Sequence, residues 1–141
     1  MILKNKLSPF DRALKYLSYR ARSEAEVRAY LGPDCTEDII ARLKRLKFID
    51  DAKFAAWYVE SRLRTRPRSR KLLELELKRK GVRLDAPSTA TDLESATQAL
   101  QKKSRVKSRD QVIRFLHSRG FSWDIIETVL KKRYNGTNVN Y

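Results

Sequence analysis

The chain repeats a short helical pattern three times, and this repetition limits the folds that are open to it. A basic residue and a serine begin three comparable segments, at Arg22-Ser23, Arg68-Ser69 and Lys107-Ser108. Each serine is followed by an apolar residue four positions later and by a leucine eight positions later: Val27 and Leu31, Leu73 and Leu77, Val112 and Leu116. A serine N-cap followed by apolar residues at this spacing predicts a helix with one buried stripe.

The ends of these segments also carry helix signals. Ser23-x-x-Glu26 and Ser108-x-x-Gln111 have the capping-box spacing, in which the third helical residue reaches back to the N–H of the cap. Gly81 and Gly120 stand where a left-handed C-terminal cap is expected for the second and third segments. The middle segment contains residues 73–78, which alternate like a strand, but Leu, Glu and Lys are good helix formers. We therefore predict a helix there as well.

Further helices flank each of the three segments. A first helix is predicted before each one, over Pro9 to Tyr19, Ala52 to about Arg64, and Leu93 to Lys103. A third helix is predicted after Thr36 and after Ser122, where a hydroxyl cap precedes an acid and paired isoleucines. In the middle copy Pro87 interrupts the corresponding position, so residues 82–91 are predicted to be a loop or a shortened helix.

These elements predict an all-α fold of three tandem three-helix repeats. The repeats occupy residues 8–48, 50–92 and 93–134, and a tail covers 135–141. A unit of this size is marginal on its own, so we expect neighbouring repeats to stack into an elongated or curved array.

Composition indicates a polyanionic partner and excludes several classes of protein. Lys and Arg number 32 against 17 Asp and Glu, a net charge of +15, and such an excess favours nucleic acid, an acidic protein or an anionic membrane as a partner. The longest apolar run has six residues, Phe54 to Val59, which is too short to span a bilayer. The first residues contain no apolar stretch of signal-peptide length, so no signal peptide is expected. Cys35 and His117 each occur once, which excludes a disulfide framework and a Cys/His zinc site within one chain. We expect a cytoplasmic, membrane-free protein without metal or cofactor.

The positive charge is concentrated in two clusters. We expect these clusters to bind a polyanion: Arg62, Arg64, Arg66, Arg68, Arg70 and Lys71 in the first, and Lys102, Lys103, Arg105, Lys107 and Arg109 in the second. Arg70, Lys71 and Arg109 fall in the first turns of predicted helices, where the macrodipole disfavours a cation by about 0.3–1 kcal/mol. Free N–H groups at a helix start, together with cations, are predicted to form an anion site.

No catalytic constellation is found. Asp50 and Asp51 begin a predicted helix and are interpreted as caps. Glu74 and Glu76 with Lys78 superficially match a nuclease pattern, but helical residues two apart point about 200° apart and cannot share a metal. Phe54, Trp57 and Tyr58 recur at helical spacing and are predicted to lie in the core.

Several stretches resemble the RecX regulatory family. They are ALKYLS at 13–18, RSEAEV at 22–27, FIDDxxFA at 48–55, YVESR at 58–62 and LxxELxxKG at 73–81. The resemblance runs from about residue 11 to 130. It marks Asp50, Asp51, Phe54 and Tyr58 as motif residues. Ser69 stands where the family pattern would have glycine, and Pro87 departs from a regular third helix.

The resemblance implies a function as well as tandem three-helix repeats. It implies a cytoplasmic bacterial protein that lodges in the groove of the RecA filament and inhibits the ATPase, strand-exchange and coprotease activities of RecA. It also implies DNA binding. Our leading hypothesis is a monomeric, non-enzymatic modulator of RecA–DNA filaments. The alternative is a nucleic-acid-binding helical protein that acts without RecA.

Overall fold

The computed structural model describes residues 7–85, 91–103, 106 and 108–135, and these residues form helices with no β-strand among them. This confirms the predicted helical class. A 3₁₀ turn lies at Gly32–Asp34 and a π-helical turn at Lys131–Asn135. The α-helices are α1 (Pro9–Tyr19), α2 (Glu24–Leu31), α3 (Glu37–Arg45), α4 (Asp51–Thr65), α5 (Arg70–Arg79), α6 (Asp92–Lys102), α7 (Arg109–Ser118) and α8 (Trp123–Leu130).

Hydroxyl side chains begin seven of these eight helices. Each accepts a hydrogen bond from the backbone N–H three residues later, at Ser8, Ser23, Thr36, Ser69, Thr91, Ser108 and Ser122. Helix α4 begins with an acid instead, since Asp50 Oδ1 accepts from the N–H of Lys53 at 3.1 Å. The predicted serine caps and the predicted cap at Asp50 are therefore confirmed.

The predicted glycine caps are also confirmed, because Gly81 and Gly120 have φ values of 75° and 85°. These left-handed values suit a residue without a Cβ atom. Residues 82–85 follow α5 without helical structure. Pro87 and the other residues of 86–90 lie outside the described part of the chain.

The helices divide into two compact units. One falls within Met1–Trp57 and Leu77–Leu84. Its core joins α1, α2 and α3 and contains Ala13, Val27, Leu31, Ile40, Leu43 and Ile49. Val27 and Leu31 are the predicted buried stripe of α2, and both are almost completely buried.

The other unit falls within Tyr58–Glu76 and Asp85–Tyr141. Its core joins α6, α7 and α8 and contains Ala96, Leu100, Val106, Val112, Leu116, Phe121, Ile126, Val129 and Leu130. The division between the units runs through α4 and α5, so it does not coincide with the predicted repeat boundaries.

The predicted aromatic core of α4 is correct for two of its three residues. Phe54 and Tyr58 are buried, whereas Trp57 is 41% exposed. Residues four apart on a helix share a face, but consecutive residues are separated by about 100°. Trp57 therefore lies beside the buried face rather than on it, and its assignment to the core was wrong.

A close contact joins the start of α2 to the end of α5. The Ser23 hydroxyl, which caps α2, donates a hydrogen bond of 2.7 Å to the carbonyl oxygen of Lys80. The N–H of Glu24 donates to Asp51 Oδ1 at 2.9 Å. A Cβ atom placed on Gly81 would lie 2.5 Å from Ala25 Cβ. We call this contact the α2–α5 junction.

The same arrangement recurs between the start of α5 and the end of α7. The N–H of Ser69 donates to the carbonyl oxygen of Arg119 at 3.0 Å, and the N–H of Arg70 donates to Asp92 Oδ1 at 2.9 Å. A Cβ atom on Gly120 would lie 2.6 Å from the Ser69 hydroxyl. In this α5–α7 junction, as in the α2–α5 junction, the serine at the helix start is buried, a glycine allows the two helix ends to approach closely, and an aspartate accepts the first helical N–H.

The Ser23→Ala change should reduce stability more than Ser108→Ala. Both remove an N-cap worth about 1 kcal/mol, but only Ser23 also donates to a distant carbonyl, which adds about 1 kcal/mol. Urea unfolding followed by circular dichroism should give losses of about 2 and about 1 kcal/mol. Equal losses would contradict the role of Ser23 in the α2–α5 junction.

A double-mutant cycle should detect the close approach at Gly81. Gly81→Ala should cost about 2 kcal/mol or more, because the residue is left-handed and the new methyl group meets Ala25. In an Ala25→Gly background the steric part should disappear, so the same change should cost about 1 kcal/mol less. Additive losses would show that Gly81 is required only for its backbone conformation.

Candidate nucleic-acid interface

The first predicted cationic cluster lies around the connection between α4 and α5. Arg62 and Arg64 are in the last turns of α4, Arg66 and Arg68 are in the connection, and α5 begins at Arg70. The second cluster begins at the end of α6, with Lys102 and Lys103, and reaches Arg109 at the start of α7. Arg105 and Lys107 lie outside the described residues.

Carboxylates neutralise part of the first cluster. Arg68 pairs with Glu76, and the two side chains are only 12% and 17% exposed. The Tyr58 hydroxyl donates to the other oxygen of Glu76 at 2.9 Å. This connected group joins α4, the α4–α5 connection and α5, which gives Arg68 a structural role.

Weaker interactions involve three other cations of the first cluster. Arg70 pairs with Glu74 at 2.9 Å, and Arg64 lies 3.7 Å from Glu60. The Arg62 guanidinium lies over the Tyr58 ring at 4.9 Å. The pairs of Arg64 and Arg70 are exposed i,i+4 pairs, which contribute little to stability and leave both cations accessible to a ligand.

At the start of α5, where an anion site was predicted, the chain itself binds two of the helical N–H groups. The N–H of Arg70 donates to Asp92, and the N–H of Leu72 donates to the Ser69 hydroxyl. The expectation of free N–H groups beside Arg70 was therefore wrong. The sequence could not show this, because Asp92 is 22 residues away and its position depends on the tertiary fold.

The acidic residues that were considered as metal ligands have separate partners. Asp50 caps α4, whereas Asp51 accepts the N–H of Glu24 in the α2–α5 junction. The prediction that Asp51 is also a cap is corrected by this contact. Glu74 binds Arg70 and Glu76 binds Arg68, so the two glutamates of α5 do not converge.

Cations from both clusters line one cavity. Arg66 contributes from the α4–α5 connection and Lys102 and Lys103 from the end of α6, together with Arg119 from the end of α7. The cavity has a volume of about 140 Å³, and Phe115 forms part of its wall. We call it the cationic pocket. Within the described part of the chain, none of its four cations lies within ion-pair distance of a carboxylate.

Arg119 is the residue of this pocket that the sequence did not suggest. Its guanidinium donates to the carbonyl oxygen of Pro67 at 3.1 Å and lies 4.8 Å from the centre of the Phe115 ring. Burial, followed by repulsion from Arg66 and Arg68, lowers the pKa of Arg119. The only sequence signal is that Arg119-Gly120 repeats the basic residue and glycine of Lys80-Gly81.

None of the helices in the described ranges is both long enough and apolar enough to cross a membrane.

Two family models match the chain, and both come from one family. The model of the first three-helix domain of RecX matches residues 10–43, and that of the second three-helix domain matches residues 50–85. The chain belongs to the RecX family. The resemblance seen in the sequence is thereby confirmed, and the matched segments contain most of α1 to α3 and all of α4 and α5.

Curated relatives carry the name regulatory protein RecX. The Bacillus pumilus protein is 35% identical over 147 residues, which cover 90% of this chain and 56% of the relative. The Bacillus licheniformis protein is 32% identical and is matched over 87% of this chain and 54% of its own length. This chain therefore spans about half the length of the curated RecX relatives that it matches.

Solved RecX structures share the fold. The crystal structure of RecX from Lactobacillus salivarius superimposes with a TM-score of 0.65 and is 28% identical, covering 88% of this chain and 93% of that one. A second crystal structure of regulatory protein RecX also gives a TM-score of 0.65 at 23% identity, and it supports the fold alone.

The two arginines Arg66 and Arg68 should respond differently to the same substitution. Arg68→Gln breaks the pair with Glu76 and should cost about 2 kcal/mol, a value reduced for the residual exposure of both side chains. Arg66→Gln should change stability by less than about 0.5 kcal/mol, because Arg66 is exposed. Urea unfolding measures both, and similar stabilities of the two variants would contradict the structural role of Arg68.

Proposed function

We propose that this RecX-family chain is a non-enzymatic regulatory protein that binds RecA–DNA filaments. In this proposal it inhibits the ATPase, strand-exchange and coprotease activities of RecA, and thereby regulates recombination, DNA repair and the SOS response. The observation that supports it most strongly is the match of residues 10–43 and 50–85 to the two RecX three-helix domains. The target is the filament as found in the cytoplasm, and the chain acts as a monomer.

The proposal includes a third three-helix copy. Helices α6, α7 and α8 have the order and the caps of α1, α2 and α3: Ser108 begins the second helix of its group as Ser23 does, and Ser122 begins the third as Thr36 does. The repeats would then extend over 8–48, 50–92 and 93–134. An elongated or curved array of three copies would present a long surface to the filament groove.

The exposed cations supply the attraction to the filament in this proposal. Arg66, Lys102 and Lys103 line the cationic pocket, and Lys71 and Arg109 are exposed at the starts of α5 and α7. Cations that are not neutralised by neighbouring carboxylates can replace the counterions of a nucleic-acid backbone. Arg105 and Lys107 belong to the same proposed contact set by sequence, as do Arg62, Arg64, Arg68 and Arg70, although Arg68 has the structural role described above.

Inhibition would follow from occupation of the groove. A helical chain held against several RecA subunits and their DNA would restrain the subunit movements that accompany ATP turnover. It would also obstruct the entry of LexA or of a second DNA molecule. Neither effect requires bond-breaking chemistry by the chain, which agrees with the separate partners of its acidic residues.

A second function is favoured by the same cationic pocket. The chain could bind nucleic acid without RecA, in which case affinity would depend steeply on salt. Neutralisation of about six phosphates of double-stranded DNA would give a log–log salt slope of about −5. The two functions differ in their requirement for RecA, and this difference can be measured.

The full chain should inhibit the DNA-dependent ATPase of RecA at stoichiometric amounts. Hydrolysis should be measured on single-stranded DNA while the chain is titrated against a fixed RecA concentration. The variant Arg66→Gln/Lys102→Gln/Lys103→Gln should inhibit more weakly than Arg45→Gln/Lys53→Gln/Arg114→Gln, which removes the same charge from other exposed positions. An ATPase rate that is unchanged by a stoichiometric excess of the wild-type chain would refute the proposal and leave the RecA-independent function.

A further inference from the structure

The cationic pocket collects charge from three separate parts of the chain. Arg66 precedes α5, Lys102 and Lys103 end α6, and Arg119 ends α7, yet all four line the same cavity of about 140 Å³. All of these residues belong to the unit within Tyr58–Glu76 and Asp85–Tyr141. The fold therefore brings cations from both sequence clusters, together with Arg119, to the wall of one cavity.

This concentration is unfavourable unless an anion compensates for it. Like charges held close together repel, and the repulsion is greater where a cation is partly removed from water. Elsewhere in the same unit the chain avoids this cost by pairing Arg68 with Glu76 and Arg70 with Glu74. In the pocket, the lining contains no acidic residue among those described.

Arg119 retains hydrogen-bonding capacity that faces this cavity. A guanidinium has five N–H donors, and among the described residues Arg119 donates one hydrogen bond, to the carbonyl of Pro67. That bond and the Phe115 ring fix the orientation of the guanidinium. A side chain held in this way loses little conformational entropy when it binds an anion, and the guanidinium geometry matches the oxygens of a phosphate.

The dimensions of the pocket limit what can enter it. A volume of about 140 Å³ is several times larger than the space that one water molecule requires. This volume is sufficient for a tetrahedral phosphate group. Arg66, Lys102 and Lys103 are exposed around the opening, so the chain on either side of a bound phosphate would continue across a positively charged surface.

We propose that the cationic pocket binds one phosphate group of a nucleic-acid backbone, with Arg119 in its wall and Arg66, Lys102 and Lys103 around its opening. This inference rests on the proposed function, because it assumes that nucleic acid is part of the target. It adds Arg119 to the contact set and gives Arg66, Lys102 and Lys103 a common ligand. The remaining cations of the two clusters act outside the pocket.

Binding of a labelled oligothymidylate tests the proposal with the full chain. Fluorescence anisotropy should compare wild type with the pocket variant Arg66→Gln/Lys102→Gln/Lys103→Gln and the control Arg45→Gln/Lys53→Gln/Arg114→Gln. Each variant removes three positive charges at exposed positions, so both should remain folded by circular dichroism. The pocket variant should lose about tenfold more affinity than the control, and the magnitude of its log–log salt slope should fall by about 0.7, as expected for one lost phosphate contact on a single strand.

The Arg119 side chain provides a second measurement. Its Nε–H signal in an NMR spectrum should shift when oligothymidylate is added to the wild-type chain, and the shift should disappear in the pocket variant. Inorganic phosphate should compete weakly for the same signal. A response to inorganic phosphate but not to the oligonucleotide would identify a free-anion site and overturn the proposal.

Two other results would overturn this inference without contradicting the proposed function. Equal losses of affinity in the two triple variants would overturn the pocket, because charge alone would then account for binding. Absence of oligonucleotide binding by the wild type would overturn it as well. In both cases inhibition of the RecA ATPase by the wild-type chain would preserve the proposed function, whereas failure of that inhibition would contradict the proposed function directly.

Discussion

The contact between the N-terminus of one helix and the C-terminal glycine of another is the constraint on which this structure depends. It occurs twice, at the α2–α5 junction and at the α5–α7 junction. In both places a serine that caps its own helix is almost fully buried, Ser23 at 0% and Ser69 at 1% exposure. A buried hydroxyl is tolerated only when it is hydrogen-bonded, and each of these serines is bonded within its helix start while the junction brings a distant backbone group to the same residue. Each serine therefore stabilises the start of its own helix and also holds the end of a neighbouring helix in place.

The junctions also explain the positions of the acidic residues Asp51, Asp92 and Glu26. Asp51 and Asp92 occupy equivalent places, because each accepts the first helical N–H that follows a capping serine. The glycines provide the close approach, since a Cβ atom at either position would meet neighbouring atoms at 2.5 or 2.6 Å. Glu26 adds to the α2–α5 junction. Burial opposes ionisation of this carboxylate, but hydrogen bonds from Arg20 and from the N–H of Ser23 lower its pKa.

The fold gives different environments to cations that lie close together in the sequence. Arg66 and Arg68 are two residues apart, yet Arg68 is held by Glu76 and Arg66 lines the cationic pocket. In the α4–α5 connection, the Arg68 side chain contacts α5, whereas the Arg66 side chain lies near the ends of α6 and α7. One member of this charged run therefore stabilises the structure, while another lines the cavity that we propose as a phosphate site.

Local signals were sufficient to predict the helices, and long-range contacts account for the errors. The caps at Ser23, Ser69 and Ser108 and the glycines at 81 and 120 depend on neighbouring residues, so their spacing identified them. The role of Asp51, the occupied N-terminus of α5 and the place of Arg119 depend on residues 22 or more positions away. Trp57 was wrongly assigned to the core because helical spacing identifies a buried face but does not show how far that face extends around the helix.

We predict that this RecX-family chain binds RecA-coated DNA in preference to naked DNA. Co-sedimentation tests this claim most directly, with single-stranded DNA that is either naked or saturated with RecA and ATP, at one salt concentration and over a range of chain concentrations. We expect half-maximal sedimentation with RecA-coated DNA at a clearly lower concentration than with naked DNA. Equal binding to the two, or stronger binding to naked DNA, would contradict the account and identify a nucleic-acid-binding protein that does not depend on RecA.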